Sequence, residues 1–308
     1  MLANFFGKSK PVNFILITLL FLGYVIFDFI IDANFEFSLR YFTNSLVAFP
    51  FFLVLFFLFN FVISKNKLTR DNSYAFLLFV IGLGFLEIVQ VAYTTVLIYL
   101  LLFLFLRRVY SLRRVKSVYQ KLFDSGLWLG ILFIFSPAYL LYLVLLYTAV
   151  FLFVKITVRT VLIPILGLIT PVILYFTYLF WNDNLTTFYQ LFEVVLIIDI
   201  DFYLTNYYGL FLMLFMMFSA ISIIVRTTKI LSVSNKFKRS WVLLLVHLAI
   251  AILFVFFVKN KNGSELISFL IPASIIIANW LQFVEKKIII NIVLMLFFLL
   301  SFAIHFIV

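Results

Sequence analysis

The chain has 308 residues, of which 66% are hydrophobic and only 11% are charged, and its mean hydropathy is +1.25. A soluble domain of this length would be about half apolar and a quarter charged, so this composition excludes a soluble globular protein. The net charge of +11 comes without an aromatic and basic recognition module, which argues against nucleic-acid binding. Cysteine is absent, which excludes disulfides and thiolate metal sites. We expect an all-α polytopic membrane protein that forms a single integral membrane domain over residues 1–308.

The N-terminal stretch MLANFFGKSKP leads into the first long apolar segment. Leu2 and Phe5 beside Lys8 and Lys10 are typical of a short segment that lies in the lipid headgroup region. No small-x-small cleavage site follows the apolar segment, so we expect an uncleaved first span at 12–32 rather than a signal peptide.

The basic residues predict the topology, because Lys and Arg are retained on the cytoplasmic side of a membrane. If every basic cluster is cytoplasmic, an even number of spans must separate each neighbouring pair. The clusters are Lys8 and Lys10; Lys65, Lys67 and Arg70; Arg107, Arg108, Arg113, Arg114, Lys116 and Lys121; Lys155 and Arg159; Arg226, Lys229, Lys236, Lys238 and Arg239; and Lys286 and Lys287. The apolar stretches between them are 12–32, 44–63, 74–106, 123–154, 161–180, 206–225, 241–258, 264–283 and 288–307.

Two of these stretches, 74–106 and 123–154, must each cross twice to satisfy the rule. Each crossing there has about 15–17 residues, or about 24 Å of helix, so we expect two tight hairpins of short helices. The total is about eleven transmembrane helices, with a cytoplasmic N-terminus and a periplasmic C-terminus. Most acidic residues then fall on the outer side, although they were not used to build the topology.

The end of the first span, YVIFDFIIDANFEFSLRYF, carries an acid at every fourth residue: Asp28, Asp32 and Glu36. Residues four apart share a helix face, so these carboxylates form one stripe if the helix continues that far. Because a carboxylate that faces lipid is costly, we expect Arg40, a bound cation or a polar cavity to compensate it. The alternative is that the span ends at Ile26 and the acids lie in a hydrated loop.

A second acidic segment, WNDNLTTFYQLFEVVLIIDIDF, forms the longest outer connection. It carries Asp183, Glu193, Asp199 and Asp201 around an apolar patch, which indicates a helix on the membrane surface with an acidic tip. Asp199 and Asp201 could hold a divalent cation on a polar headgroup, because hard cations bind several carboxylate oxygens. The alternative is an acid-rich loop without a ligand.

Other candidate chemistry is sparse. His247 and His305 are ionisable residues within apolar segments, and such residues are functional candidates, although a lone His is more often packed between helices. The seventh span carries Pro164, Gly167 and Pro171, which predicts a kinked or opened helix. That helix would either line a cavity or shape the packing.

The runs KLFDSGLWLGILFIFSPAYLLYLVLLY and VRTVLIPILGLITPVILYFTYLFW, with the opening NFFGKSKP, resemble an uncharacterised family of multi-span inner-membrane proteins from flavobacteria and related Bacteroidota. This resemblance implies a Gram-negative inner membrane. The order of basic loop, Gly-x-x-x-Gly hairpin and Gly/Pro-containing span is also similar to GT-C glycosyltransferases, which use polyprenyl-phosphate sugar donors. That resemblance implies a functional acid in the first outer loop, at Asp28, Asp32 or Glu36.

Three functions are compatible with these features. The first is a lipid-linked sugar transferase at the periplasmic face, with Asp28, Asp32 or Glu36 as general base. Its substrate-binding candidates are Arg40, Asp183, Glu193, Asp199 and Asp201, with a divalent cation as the expected cofactor if there is one. The alternative is a non-catalytic membrane subunit that scaffolds or gates a larger envelope or secretion assembly. The third is a transporter or flippase.

Overall fold

The computed structural model describes residues 2–31, 39–86, 93–192, 201–230, 235–259 and 261–304, with the backbone alone at 28–31, 39–46, 229–230 and 235–236. Within these ranges every regular element is a helix. The helices are α1 (Leu2–Phe6), α2 (Pro11–Ile31), α3 (Leu39–Asn66), α4 (Tyr74–Phe85), α5 (Tyr93–Ser111), α6 (Val118–Phe135), a 3-10 helix (Pro137–Leu141), α7 (Tyr142–Phe153), α8 (Val158–Trp181), α9 (Leu185–Gln190), α10 (Asp201–Thr205), α11 (Tyr208–Ile230), α12 (Asn235–Phe257), α13 (Leu266–Leu281) and α14 (Lys287–Ala303).

Six helices in the described part of the chain are long and apolar enough to cross a membrane, namely α3, α5, α6, α8, α11 and α12. Shorter apolar helical stretches lie at Pro11–Phe27, Tyr74–Phe85, Pro137–Phe153, Leu266–Leu281 and Lys287–Ala303. The prediction of an all-helical chain with several helices able to cross a membrane is therefore confirmed. The count of about eleven spans and the orientation of the two termini stay predictions.

The helices form two compact units. Unit 1 comprises residues 1–96, 200–233 and 262–308, and unit 2 comprises residues 97–199 and 234–261. Each unit has its own buried apolar core. The prediction of a single integral domain stays a prediction.

The core of unit 1 is built on α4 and α13. All twelve residues of α4 are buried, and α13 is buried at every position except Trp280. A helix that is apolar on all sides has no face to present to water, so it packs in the centre of a bundle. Glycines allow the close approach: a Cβ on Gly82 would lie 2.4 Å from the side chain of Leu270, and one on Gly84 would lie 2.6 Å from the ring of Tyr24.

One end of unit 1 collects the starts of α2, α4 and α14 and the ends of α3 and α13. The side-chain amide of Asn13 on α2 donates to Ser73 Oγ before α4 at 3.2 Å. The amide of Asn279 near the end of α13 donates to the carbonyl of Leu68 after α3 at 2.9 Å. The short helix α1 joins this end, since the amide of Ala3 donates to the side chain of Asn291 on α14. We call this the basic end of unit 1.

Unit 2 contains a tight contact between α6 and α8. A Cβ on Gly126 would lie 2.1 Å from the carbonyl oxygen of Pro164, and one on Gly167 would lie 2.3 Å from that of Phe123. Pro164, Gly167 and Pro171 are all buried on this face of α8, which is one continuous helix of 24 residues. Of the two alternatives for this span, the structure therefore supports helix packing rather than a cavity wall.

The two predicted hairpins differ from the expectation of equal short helices. In the first, α4 has 12 residues, whereas α5 has 19 and continues through Arg107 and Arg108. The end of α5 is stabilised by Lys121, whose Nζ donates to the carbonyl of Ser111 at 2.7 Å. In the second hairpin α6 has 18 residues, and the 3-10 helix precedes the 12 residues of α7. Arginine stems can extend a helix past the apolar boundary, which the hydropathy pattern alone does not predict.

Candidate functional site

The basic end of unit 1 holds a cavity of about 330 Å³ with a buried arginine in its wall. Arg226, in the last turns of α11, is only 4% exposed. Its guanidinium carbon lies 3.4 Å from the ring centroid of Phe283, and that of Arg70 lies 4.1 Å from the same centroid. Cation–π contacts of this kind contribute about 0.5–2 kcal/mol.

The cavity wall combines charge with apolar surface. Its lining residues are Val225, Arg226, Trp280, Phe283, Val284, Glu285, Lys286 and Ile289. Two cations therefore face one carboxylate among the lining groups, with Arg70 beside them. The volume lies at the lower edge of the range of about 300–1,000 Å³ that is typical of small-molecule sites.

Polar contacts hold the turn that carries Arg70. The side-chain oxygen of Gln282 accepts from the backbone amide of Arg70 at 2.8 Å and from the side chain of Asn72 at 2.9 Å. The amide of Gln282 donates in turn to the side-chain oxygen of Asn279 at 2.9 Å. These bonds fix the turn after α3 against the end of α13, so the position of Arg70 over Phe283 is set by the fold.

The opposite end of unit 1 is acidic. Glu265, directly before α13, is 3% exposed and accepts hydrogen bonds from the hydroxyl of Tyr203 at 2.6 Å and the backbone amide of Asn262 at 3.2 Å. Tyr208 donates to the carbonyl of Asn262 at 3.2 Å. Because these bonds join α10 and the start of α11 to the start of α13, α11 and α13 run in parallel from this end to the basic end. We call it the acidic end of unit 1.

The structure describes part of the predicted carboxylate stripe. The helix α2 continues through Ile31, beyond the alternative end at Ile26, so the backbone of Asp28 is helical. Asp32 and Glu36 lie outside the described residues. Arg40 lies in the first turn of α3, where the structure describes the backbone.

The second acidic segment is described at its two ends. Asp183 is exposed in the turn after α8, with a φ of +52° that aspartate tolerates better than most residues. Asp201 is exposed in the first turn of α10, two residues before Tyr203. Glu193 and Asp199 lie outside the described residues. Within the described residues no three metal-ligating side chains come together, and the divalent-cation hypothesis for Asp199 and Asp201 stays a prediction.

His247 is fully buried in unit 2. Its Nδ1 lies 2.9 Å from the hydroxyl of Tyr110, and its ring centroid lies 5.8 Å from that of Tyr142. Among the described residues no hydrogen-bond partner lies on Nε2. His305 lies outside the described residues. The described contacts of His247 are those of a histidine packed between helices.

Sequence reasoning missed two of these arrangements. From the sequence, Arg226 and Lys286 are only topology signals, and Glu265 is not among the candidate site residues. A usable signal was present in the stretch NWLQFVEKK, which places Trp280 and Phe283 next to Lys286. Tryptophan is enriched at the membrane–water interface, so Trp280 beside Lys286 indicates that this helix end lies near the lipid headgroups.

No protein-family model matches this chain, and no curated protein or solved structure is significantly similar to it. The resemblances to the flavobacterial inner-membrane family and to GT-C glycosyltransferases therefore stay predictions.

Proposed function

We propose that this chain is an eleven-span protein of a bacterial inner membrane, with its N-terminus in the cytoplasm and its C-terminus in the periplasm. The proposal is supported by the six long and five shorter apolar helical stretches. It is also supported by unit 1, where the parallel helices α11 and α13 have Glu265 at one end and Arg226 with Lys286 at the other. A cytoplasmic basic end then follows from the retention of basic residues.

For the activity, we propose transfer of a sugar from a lipid-linked donor at the periplasmic face. The observation that carries this proposal is the acidic end of unit 1, where Asp201 is exposed beside the buried pair of Tyr203 and Glu265. The pair fixes α10, so Asp201 is held in a defined position near the start of α13, and in the proposed orientation this end faces the periplasm.

In this proposal a carboxylate of the first outer segment, Asp28, Asp32 or Glu36, acts as general base toward an acceptor hydroxyl. The pKa of a general base rises when other carboxylates are close, which brings it toward a useful range. The groups that would position the donor phosphate, directly or through a divalent cation, are Arg40, Asp183, Glu193, Asp199 and Asp201.

The test is the double variant Asp28→Asn and Asp32→Asn, which keeps side-chain size and removes both charges. We expect loss of the surface glycan at an unchanged protein level. The matched control is Asp71→Asn, an exposed acid at the basic end of unit 1, which leaves the glycan intact. Intact glycan in the double variant would exclude Asp28 and Asp32 as the general base, and intact glycan after Glu36→Gln is added would remove the transferase from consideration.

A second candidate is a non-catalytic membrane subunit of a larger envelope assembly. The observation that favours it is α8, whose most apolar stretch is only 17% buried. Within unit 2 this helix packs through its proline and glycine face, and residues such as Leu166, Ile173 and Leu174 on other faces are exposed. This candidate predicts that stoichiometric partner proteins co-purify in mild detergent and that each single carboxylate change is tolerated. A lone, monodisperse particle would count against it.

A further inference from the structure

The cavity at the basic end of unit 1 has the chemistry of an anion site. Arg226 is almost completely buried and lines the cavity, and Lys286 lines it as well, so two positively charged residues lie next to whatever fills it. The distances of Arg226 and Arg70 to the ring of Phe283 place their guanidinium carbons within about 7.5 Å of each other. Two like charges this close repel, and an anion in the cavity beside Arg226 reduces the repulsion.

The start of α14 adds to the positive potential. Lys286 is the N-cap residue of this 17-residue helix, and Ile289 lies in its first turn; both line the cavity. The N-terminus of a helix carries a partial positive charge and attracts anions, phosphate in particular. Glu285 lowers this positive potential, but it is exposed and is the single acid among the lining residues.

We propose that this cavity binds the phosphate group of an amphiphile. The guanidinium of Arg226 presents several donors in a planar fork that matches phosphate oxygens, and Lys286 adds a second charge from the helix start. A carboxylate ligand would use the same fork and the same helix N-terminus, but a phosphomonoester carries the larger negative charge for the two cations to bind.

The apolar part of the wall fits a ligand with a hydrocarbon chain. Val225 and Ile289 are each 38% exposed and line the cavity together with Trp280. Tryptophan is enriched at the level of lipid headgroups. The phosphate would lie against Arg226, while the chain follows the apolar residues into the bilayer. This inference does not depend on the proposed sugar transfer or on the orientation of the chain.

The test measures binding to the full-length protein in detergent by native mass spectrometry. The probes are dioleoyl phosphatidic acid, which carries a phosphomonoester, and dioleoylglycerol, which has the same chains without phosphate. Two variants, Arg226→Gln and Lys286→Gln, each remove one charge from the cavity. The matched control is Arg159→Gln, an exposed arginine of unit 2. We expect each cavity variant to weaken phosphatidic acid binding by about tenfold or more, because each removes a charge-assisted contact.

The control variant is expected to bind phosphatidic acid like the original chain, and dioleoylglycerol is expected to bind weakly to all of them. If Arg226→Gln fails to fold, the test rests on Lys286→Gln, because Lys286 is exposed and its substitution should not affect folding. Competition by millimolar inorganic phosphate would show that the phosphate group suffices; absence of competition would show that the chain is needed. Equal weakening in Arg159→Gln, or unchanged binding in both cavity variants, would overturn the proposal.

Discussion

Two pairs of buried polar residues in the described part of this chain link separate helices. Tyr203 and Glu265 connect α10 to α13, and Tyr110 and His247 connect α5 to α12. A polar group in an apolar interior is costly without a partner, so each member of such a pair makes the other tolerable. A pair of this kind therefore fixes which two helices are neighbours.

Removal of one partner from the pair of Tyr110 and His247 should destabilise the protein. The variant Tyr110→Phe leaves Nδ1 of His247 without its described partner and should lower the free energy of unfolding. Hydrogen bonds between membrane helices contribute about 0.6 kcal/mol on average and at most about 1.7 kcal/mol, and we expect a loss in that range. The double variant Tyr110→Phe with His247→Leu should recover part of the loss, because both partners are then apolar. The measurement is a double-mutant cycle from denaturant titrations in micelles.

The control is Tyr178→Phe, which removes the hydroxyl of an exposed tyrosine on α8 and should leave stability unchanged. A double variant whose loss equals the sum of the single losses would show that Tyr110 and His247 do not stabilise each other.

At the level of single residues, the sequence predicted candidates by type and spacing but not their neighbours. The four-residue spacing of Asp28 and Asp32 could be read directly, because a helix has a known period. The contacts of Arg70 and Arg226 with Phe283 could not be predicted, because the three residues lie far apart in the chain. A charge pattern along the sequence shows where lysine and arginine occur, but not which of them is buried.

Among the elements, the contact between α6 and α8 shows how small residues set the distance between helices. Gly126, Gly130 and Gly167 leave no room for a Cβ, since each would lie within 2.3 Å of a backbone carbonyl oxygen of the other helix. Backbone atoms cannot rotate away as a side chain can, so a methyl group here must separate the helices. The two prolines of α8 lie on the same face and are covered by α6.

We therefore predict that Gly126→Ala destabilises the protein by about 1–3 kcal/mol, the usual cost of overpacking. The matched control is Gly23→Ala in α2, where a Cβ would meet nothing within 4 Å. That change should be neutral or stabilise the helix by up to about 1 kcal/mol, because alanine loses less backbone entropy than glycine. Thermal unfolding of the two variants in the same detergent provides the comparison. Equal destabilisation by both would mean that the helix contact does not set the stability.

The existence of the helices could be predicted from apolar runs, but their ends could not. The first span begins at Pro11, where proline suits the first turn, close to the predicted residue 12. By contrast α5 ends at Ser111, five residues past the predicted boundary, because arginines and the contact from Lys121 extend it. The ends of helices depend on such tertiary contacts, and a hydropathy profile carries no information about these contacts.

For the whole molecule, the number of membrane crossings depends on whether the short helices are long enough to span the hydrocarbon core. The helix α6 has 18 residues and a length of about 27 Å. The 3-10 helix rises about 2.0 Å per residue, so with α7 it gives about 28 Å from 17 residues. Both lengths come close to the 30 Å of the hydrocarbon core, so full crossing requires little thinning of the bilayer. The 3-10 helix rises more per residue than an α-helix, so it lengthens the second half of this hairpin, Pro137–Phe153.

These helix lengths predict which of three positions are accessible from each side of the membrane. The chain has no cysteine, so single cysteines can be introduced at Lys116, Ser136 and Lys155 without background. If α6 and α7 both cross, a membrane-impermeant maleimide added to intact spheroplasts should label position 136 alone, and permeabilised membranes should label all three. If the hairpin enters and leaves on the cytoplasmic side, position 136 is protected in intact cells. Labelling of 116 and 155 but not 136 from outside would invert the orientation, and with it the side on which the acidic end of unit 1 could meet a donor.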